Sequence, residues 1–145
     1  MTQSSPAHLP VMVGPVLRAL DPRPDAHIVD ATLGLGGHAE ALLRELGPEG
    51  RVTGIDLVGE YCRVATMLAL RACRDRSVRY CQASALDLPF GDAAFDVVWT
   101  QHASMNIEDK RRLYGEMFRV VKPGGRLLLY DIVAGHGGPI HFPVP

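Results

Sequence analysis

A short apolar segment near the start of the chain ends in an acid and leads into a glycine-rich turn: residues 28–38 read IVDATLGLGGH. Gly34, Gly36 and Gly37 would let the backbone approach a ligand closely, and a turn of this kind between a strand and a helix is typical of sites for adenosine-containing cofactors. A second acid, Asp56, ends the next apolar run, twenty residues beyond Gly36. An acid at that distance typically holds ribose hydroxyls. The spacing therefore predicts a site for a nucleoside cofactor.

The glycine-rich turn by itself fits two kinds of cofactor. Residues 34–39 match the dinucleotide pattern of glycine, x, glycine, x, x, glycine or alanine, so a nicotinamide oxidoreductase is one interpretation. Asp30 favours the other, because an acid just before the turn suits a cationic ligand such as a sulfonium or an amino group. A pyrophosphate gains nothing from an anion beside it.

The composition is that of a single globular domain. Of the 145 residues, 47% are apolar and 21% charged, and the formal net charge of −1 provides no overall basic field that would attract nucleic acid. The three cysteines lack metal-ligand spacing and predict reduced thiols in a cytoplasmic protein. The first residues lack a signal-peptide pattern, and no apolar run approaches the roughly 20 residues of a membrane span.

Apolar periodicity predicts strands that alternate with helices. Strands are expected at residues 27–31, 51–56, 78–83, 95–100 and 126–133. Helices are expected near residues 13–20, 39–46, 60–73 and 107–121, with Asn106 as the N-cap of the last helix, residues 123–125 as its end, and Leu68 facing the core from the third. Trp99 is expected in the core. This alternation predicts an α/β fold, a Rossmann-like doubly wound parallel sheet in the order 3-2-1-4-5, with ligands beyond the carboxyl ends of the strands.

Three regions follow from this pattern. Residues 1–26 form an N-terminal arm and short helix, residues 27–134 the cofactor-binding core, and residues 135–145 a tail rich in glycine and proline. The prolines of the tail exclude a central strand there. The fifth strand would then be an exposed edge, open to pairing with a second copy in a homodimer.

Motifs in the second half of the chain point to a family. Residues 85–90 read ALDLPF, residues 95–99 read FDVVW, and residues 122–127 read KPGGRL. Together they closely resemble class I S-adenosylmethionine-dependent methyltransferases, above all the subgroup of ubiquinone/menaquinone-type and sarcosine/dimethylglycine-type enzymes. The resemblance implies S-adenosylmethionine as the cofactor and a small-molecule methyl acceptor. The fold of that family normally has two further strands, so the chain resembles a truncated member that lacks them.

The beginning of the chain resembles a second group. Residues 8–11, 30–38 and 47–51 look like the opening of bacterial small-subunit ribosomal RNA cytosine N4-methyltransferases, which use the same cofactor. RNA methylation is therefore one alternative function, against which the net charge weighs. A non-catalytic cofactor-binding or interaction module is another, because the substrate half of the family fold is missing.

The family resemblance implies which residues would meet the methionine end of the cofactor. Gly34, Gly36 and Gly37 would approach the methionine part, and Asp30 would lie near the sulfonium. Gln101, which follows the fourth strand, is expected near the same end.

The family resemblance also implies the ribose and adenine contacts. Asp56 would accept hydrogen bonds from the ribose hydroxyls, which the spacing favours. The alternative is a helix N-cap in the turn after the second strand. Adenine would lie between Leu57 and the segment Ser84, Ala85 and Leu86. Where the family commonly has an acid, Ser84 can accept a hydrogen bond only without charge, so its contribution would be smaller.

His102 is the candidate catalytic base. It follows the fourth strand beside the predicted methyl-transfer centre, and the usual pKa of histidine suits proton transfer near neutral pH. The alternative is a packing or hydrogen-bonding role, because methyl transfer from a sulfonium can depend on positioning alone.

Overall fold

A computed structural model describes residues 11–31, 37–71 and 77–132. The helices are α1 (Val13–Leu20), α2 (Gly37–Glu45), α3 (Gly59–Arg71) and α4 (Lys110–Val120), with a short 3₁₀ turn at Ser104–Asn106. The strands are β1 (His27–Asp30), β2 (Arg51–Asp56), β3 (Val78–Gln82), β4 (Phe95–Gln101) and β5 (Val121–Tyr130).

The five strands of the described residues form one parallel sheet in the order β3-β2-β1-β4-β5, which confirms the predicted Rossmann-like topology. The register aligns Asp56 with Gln82 and Gln101 with Tyr130, so these strand ends share one edge of the sheet. The order reverses beside β1, where a parallel sheet opens a crevice for ligands. The predicted domain boundaries stay predictions.

Hydrophobic cores on both faces of the sheet hold this edge in place. On one face α1 and α2 cover a cluster that includes Ile28, Leu42 and Trp99, each at most 1% exposed. On the other face α4 covers a cluster with Val98 and Leu113, which are fully buried. Because both faces are covered, the central strands β1 and β4 are mostly buried, and their sequences are largely apolar. Trp99 lies in the core, as expected, and its ring stands edge-on to the His38 ring.

The predicted start of α4 is wrong. The helix begins at Lys110, and its N-cap is Asp109, whose Oδ1 accepts a hydrogen bond from the Arg112 N–H at 2.9 Å. The expected cap, Asn106, instead ends the 3₁₀ turn. Both residue types cap helices well, so composition alone could not choose between them.

Two further sequence predictions are corrected. The segment 123–125 lies inside β5 rather than before it, because the register shifts from Phe95–Val121 to Val97–Arg126 and the extra residues form an irregularity in the strand. Leu68 is 49% exposed. Only Cys62 and Ala65 of α3 are buried, since this helix packs mainly on β3, the edge strand of the sheet, and less on β2.

Candidate functional site

A cleft of about 500 Å³ opens at the carboxyl edge of the sheet, within the roughly 300–1,000 Å³ of small-molecule sites. It brings together seven of the residues singled out from the sequence: Asp56, Leu57, Ser84, Ala85, Leu86, Gln101 and His102. Sequence reasoning missed the other lining residues, which lie in β2, just after β1, β3 or β4, or at the end of the 3₁₀ turn: Ala31, Ile55, Ala83, Ala103, Asn106 and Ile107. For the first four, a position at or just after a strand end was the available signal.

Asp56 combines the two roles that its position suggested. Its Oδ1 accepts a hydrogen bond from the Val58 N–H at 2.8 Å, which closes the turn between β2 and α3. Within the described ranges, its Oδ2 has no hydrogen-bond donor. Since a carboxylate accepts through both oxygens, Asp56 can brace its turn and still accept from a ligand hydroxyl. The arrangement fits a ribose.

Leu57 presents an apolar surface to the cleft. Its side chain is 68% exposed, although it directly follows a buried strand. The Gln82 Nε2 donates to its carbonyl oxygen at 3.0 Å and so fixes the backbone there. An exposed leucine on a braced backbone offers a flat apolar contact of the kind that an adenine ring covers.

Ser84 closes a turn on the opposite side of the cleft. Its Oγ accepts from the Leu86 N–H at 3.1 Å, and its carbonyl oxygen accepts from the Asp87 N–H at 3.1 Å. The hydroxyl therefore shapes the turn that carries Ala85 and Leu86, and its own proton stays available for donation. A local bracing role of this kind could be suspected from serine's tendency to form such turns.

Asp30 lies at the same edge but deeper. It is 1% exposed, ends β1, and is not among the residues that line the 500 Å³ cleft. The pKa of the nearby Tyr80 phenol is raised to about 12. Burial is the main cause, and the carboxyl groups of Asp30 and Glu40 contribute in the same direction. Asp30 is thus a buried carboxyl group at the carboxyl edge of the sheet.

The glycine-rich turn is described only at its end. Gly37 is partly buried and is the first residue of α2. Gly34 and Gly36 lie outside the described residues, so their predicted role stays a prediction.

Gln101 and His102 form the end of β4 at the cleft. Gln101 is 8% exposed, and its Nε2 is 3.5 Å from the Val11 carbonyl oxygen. His102 is exposed and has a left-handed φ of 54°. Its backbone N–H donates to the Tyr130 carbonyl oxygen at 2.9 Å. Its ring stands edge-on to the Tyr130 ring, with the ring centroids 5.1 Å apart. Since non-glycine residues seldom adopt this backbone region, and such residues cluster at functional sites, the conformation draws attention to His102.

The segment after β4 is tied down from behind. The Ser104 Oγ donates to the Asp131 Oδ2 just beyond β5. The Lys110 Nζ donates to the carbonyl oxygens of Ser104 and Ile107. These contacts hold the cleft residues that flank Ser104. The bond between Ser104 and Asp131 joins positions 27 residues apart, too far for local patterns to reveal.

Among the described residues, no three His, Cys, Asp or Glu side chains are grouped so that they could bind a metal ion. None of the described helices combines the length and apolar character needed to cross a bilayer.

Comparison with known proteins gives consistent matches. A family described as "Methyltransferase domain" matches residues 29–129. The demethylmenaquinone methyltransferase of Thermus thermophilus is 36% identical over 104 residues, which cover 72% of this chain and 46% of that protein. The chloroplastic 2-phytyl-1,4-beta-naphthoquinone methyltransferase of Arabidopsis thaliana is 34% identical over 108 residues, which cover 72% and 41%.

Solved structures agree with the sequence matches. The geranyl diphosphate C-methyltransferase of Streptomyces coelicolor A3(2), solved with Mg²⁺, geranyl diphosphate and S-adenosyl-L-homocysteine, superposes with a TM-score of 0.74 and 28% identity. The superposition covers 81% of this chain and 42% of that one. The chain therefore spans less than half the length of these relatives.

Proposed function

Because this chain belongs to the class I S-adenosylmethionine-dependent methyltransferases, we propose that it binds S-adenosylmethionine in the cleft and transfers its methyl group to a small-molecule acceptor. The observation that carries the proposal is Asp56, whose Oδ2 is available at the mouth of a 500 Å³ cleft in a chain of this family. When bound, the cofactor supplies a methyl group activated by its sulfonium. The residues of the chain bind and orient the two reactants.

Each side of the cleft has a separate part in this proposal. Asp56 accepts hydrogen bonds from the ribose hydroxyls through its Oδ2, while its Oδ1 keeps the turn closed. Leu57 and Leu86 contribute apolar surface on either side of the adenine ring. In this proposal the methionine end of the cofactor lies toward Gln101 and Asp30. Contact with Gly34, Gly36 and Gly37 stays a sequence prediction, since Gly34 and Gly36 lie outside the described residues.

His102 is the proposed base. Its exposure at the cleft lets its ring accept a proton from an acceptor N–H or O–H group, and its contact with Tyr130 limits the ring's orientations. His102→Gln keeps a polar side chain but cannot take a proton. A loss of turnover with an unchanged Kd for S-adenosylhomocysteine would support the base role, and unchanged turnover would contradict it.

Titration calorimetry tests cofactor binding directly. S-adenosylhomocysteine should bind, whereas NAD should not, because Asp30 at the end of β1 suits a positive ligand and the chain matches a methyltransferase family. Binding of NAD alone would overturn the proposal.

A radiolabelled methyl-transfer screen tests the acceptor. Demethylated quinones are the first acceptors to try, since two relatives are named for such substrates, followed by small amines and by ribosomal RNA. Label transferred to a small molecule would support the proposal. Cofactor binding without transfer to any acceptor would favour a non-catalytic module, and transfer to RNA alone would favour the RNA alternative.

We further propose that the protein forms a homodimer through pairing of β5 strands. We also propose that it is located in the cytoplasm. β5 is an edge of the described sheet, and it exposes Leu129 and Tyr130, with Ile132 just beyond. The free thiols of Cys62 and Cys81 suit a reducing compartment. Sedimentation velocity tests the pairing: Leu129→Lys should shift a dimer to monomer, and a wild-type monomer at all concentrations would contradict it.

A further inference from the structure

Three charged side chains on one face of α4 hold the loop that forms one side of the cleft. Arg112, Glu116 and Arg119 are spaced four and three residues apart, so they lie on the same side of the helix. The loop, residues 84–92, joins β3 to β4, and its first three residues line the cleft. We call the three side chains the α4 brace.

The side chains of the α4 brace form hydrogen bonds with backbone groups of the loop. The Arg112 Nε donates to the Leu86 carbonyl oxygen at 2.6 Å. The Glu116 Oε2 accepts from the Leu88 N–H at 2.7 Å. Arg119 donates through Nη1 to the Phe90 carbonyl oxygen at 2.7 Å and through Nη2 to that of Leu88 at 3.0 Å. Leu86, Leu88 and Phe90, which alternate along the loop, thus have backbone groups that are hydrogen-bonded to side chains of one helix.

The α4 brace is itself rigid. Arg119 binds both oxygens of Glu116, with Nε–Oε1 at 2.8 Å and Nη2–Oε2 at 2.7 Å, a two-point pairing of fixed geometry. Glu116 and Arg119 side chains are 18% and 31% exposed, so water screens this pair less than a surface pair. The hydrogen bond from Arg119 lowers the pKa of Glu116 to about 2, with further help from the Leu88 N–H. The pair therefore stays charged across the physiological range.

The loop depends on these contacts for its shape near the cleft. Leu88 anchors it in the core at 5% exposure, and Ser84 closes its first turn. Between these points, Leu86 both lines the cleft and accepts from Arg112. An ordered loop costs a ligand less to bind than one that must be ordered on binding.

We propose that Arg112, Glu116 and Arg119 are positioning residues that set the affinity for the adenosine half of the cofactor by holding residues 84–92 in their binding conformation. This role rests on the proposed cofactor site. It acts through the loop, since none of the three side chains is among the described residues that line the cleft.

The test compares neighbouring arginines of α4. Arg119→Gln removes both carbonyl contacts, because the shorter side chain lacks Nη1 and Nη2, and Arg112→Met removes the contact to Leu86, because methionine has no donor in the place of Nε. Arg111→Gln is the matched control, since Arg111 is exposed on the same turn and, within the described part of the chain, has no hydrogen bond to the loop. Arg112→Lys is the conservative variant, because its ammonium can still donate to the Leu86 carbonyl oxygen.

Calorimetry should show a graded loss of affinity for S-adenosylhomocysteine. We expect Arg119→Gln to weaken binding about ten-fold and Arg112→Met about three-fold. These losses are smaller than for a charged hydrogen bond made to the ligand itself, because the removed bonds act on the ligand only through the loop. Arg112→Lys should restore most of the loss, and Arg111→Gln should leave the Kd unchanged. 5′-Methylthioadenosine, which retains only the adenosine half, should lose the same factor as S-adenosylhomocysteine in each variant.

A parallel urea titration separates positioning from folding. If Arg119→Gln and Arg112→Met lower the free energy of unfolding but keep the wild-type Kd, the brace is structural only and the proposal is overturned. An equal loss in Arg111→Gln would overturn it too, because the effect would then be one of net charge. If the wild-type protein itself fails to bind S-adenosylhomocysteine, the proposed function is overturned and this role with it.

Discussion

Replacing Asp56 separates its two roles, because each carboxylate oxygen has a different task. Asp56→Asn can keep an amide oxygen in the place of Oδ1, so the 2.8 Å bond from the Val58 N–H survives. It turns the other acceptor into a donor and removes the charge. Asp56→Ala removes both carboxylate oxygens. The two variants should therefore agree in cofactor affinity and differ in stability.

The magnitudes follow from the bonds removed. Losing a charge-assisted hydrogen bond to a ribose hydroxyl costs about 1.5–3 kcal/mol, which raises the Kd by about ten-fold to more than a hundred-fold in both variants. Losing the Val58 bond costs about 1 kcal/mol in Asp56→Ala alone, as for a lost helix cap. For a domain of this size, that loss lowers Tm by about 4 °C.

Calorimetry with S-adenosylhomocysteine and thermal unfolding measured by circular dichroism check the two effects on the same samples. Asp109→Asn is the charge control, since it removes one negative charge at the cap of α4, away from the lining of the cleft. Its Kd should equal that of the wild type. Wild-type affinity in Asp56→Asn would refute the ribose role. Equal losses of Tm in Asp56→Asn and Asp56→Ala would refute the division between the two oxygens.

Further predictions concern stability, each measured by urea unfolding. Trp99→Ala should cost about 3–5 kcal/mol, because this side chain is 1% exposed in the core. Gly125→Ala should cost about 1–3 kcal/mol, since its new methyl would lie 2.8 Å from a backbone carbonyl oxygen of β4. Gly115→Ala, with open space around it in α4, should instead add about 0.5–1 kcal/mol, and a loss there would contradict the packing argument. The pKa of Glu116 falls from 4.5 to about 2, so its contribution is present above pH 4.5 and is lost as pH falls toward 2. Glu116→Gln should flatten the pH dependence of the unfolding free energy in that window, and an unchanged slope would argue against the Arg119 pairing.

Much of the fold could be predicted from local patterns. Apolar runs that alternate with helices predicted five parallel strands and their order, because strands buried on both faces are nearly continuous apolar segments and crossovers have one hand. Boundaries were harder to predict. Asn106 and Asp109 are equally good caps by residue type, and only the path of the chain through the 3₁₀ turn selected Asp109. Likewise, the irregularity within β5 depends on pairing with β4, which no local signal reports.

The sequence by itself indicated the family, the strand order and the meeting of Asp56, Ser84 and Gln101 at the carboxyl edge, because strand ends in a parallel sheet lie together whatever the details of packing. Tertiary structure alone decided how those residues are used. It left one oxygen of Asp56 available, held His102 in a left-handed conformation, and brought Arg119 to backbone carbonyls 29 and 31 residues away. Contacts over such separations arise when α4 packs on the sheet, and hydrophobic periodicity says which face of a helix is buried but not which backbone atoms its charged side chains will reach.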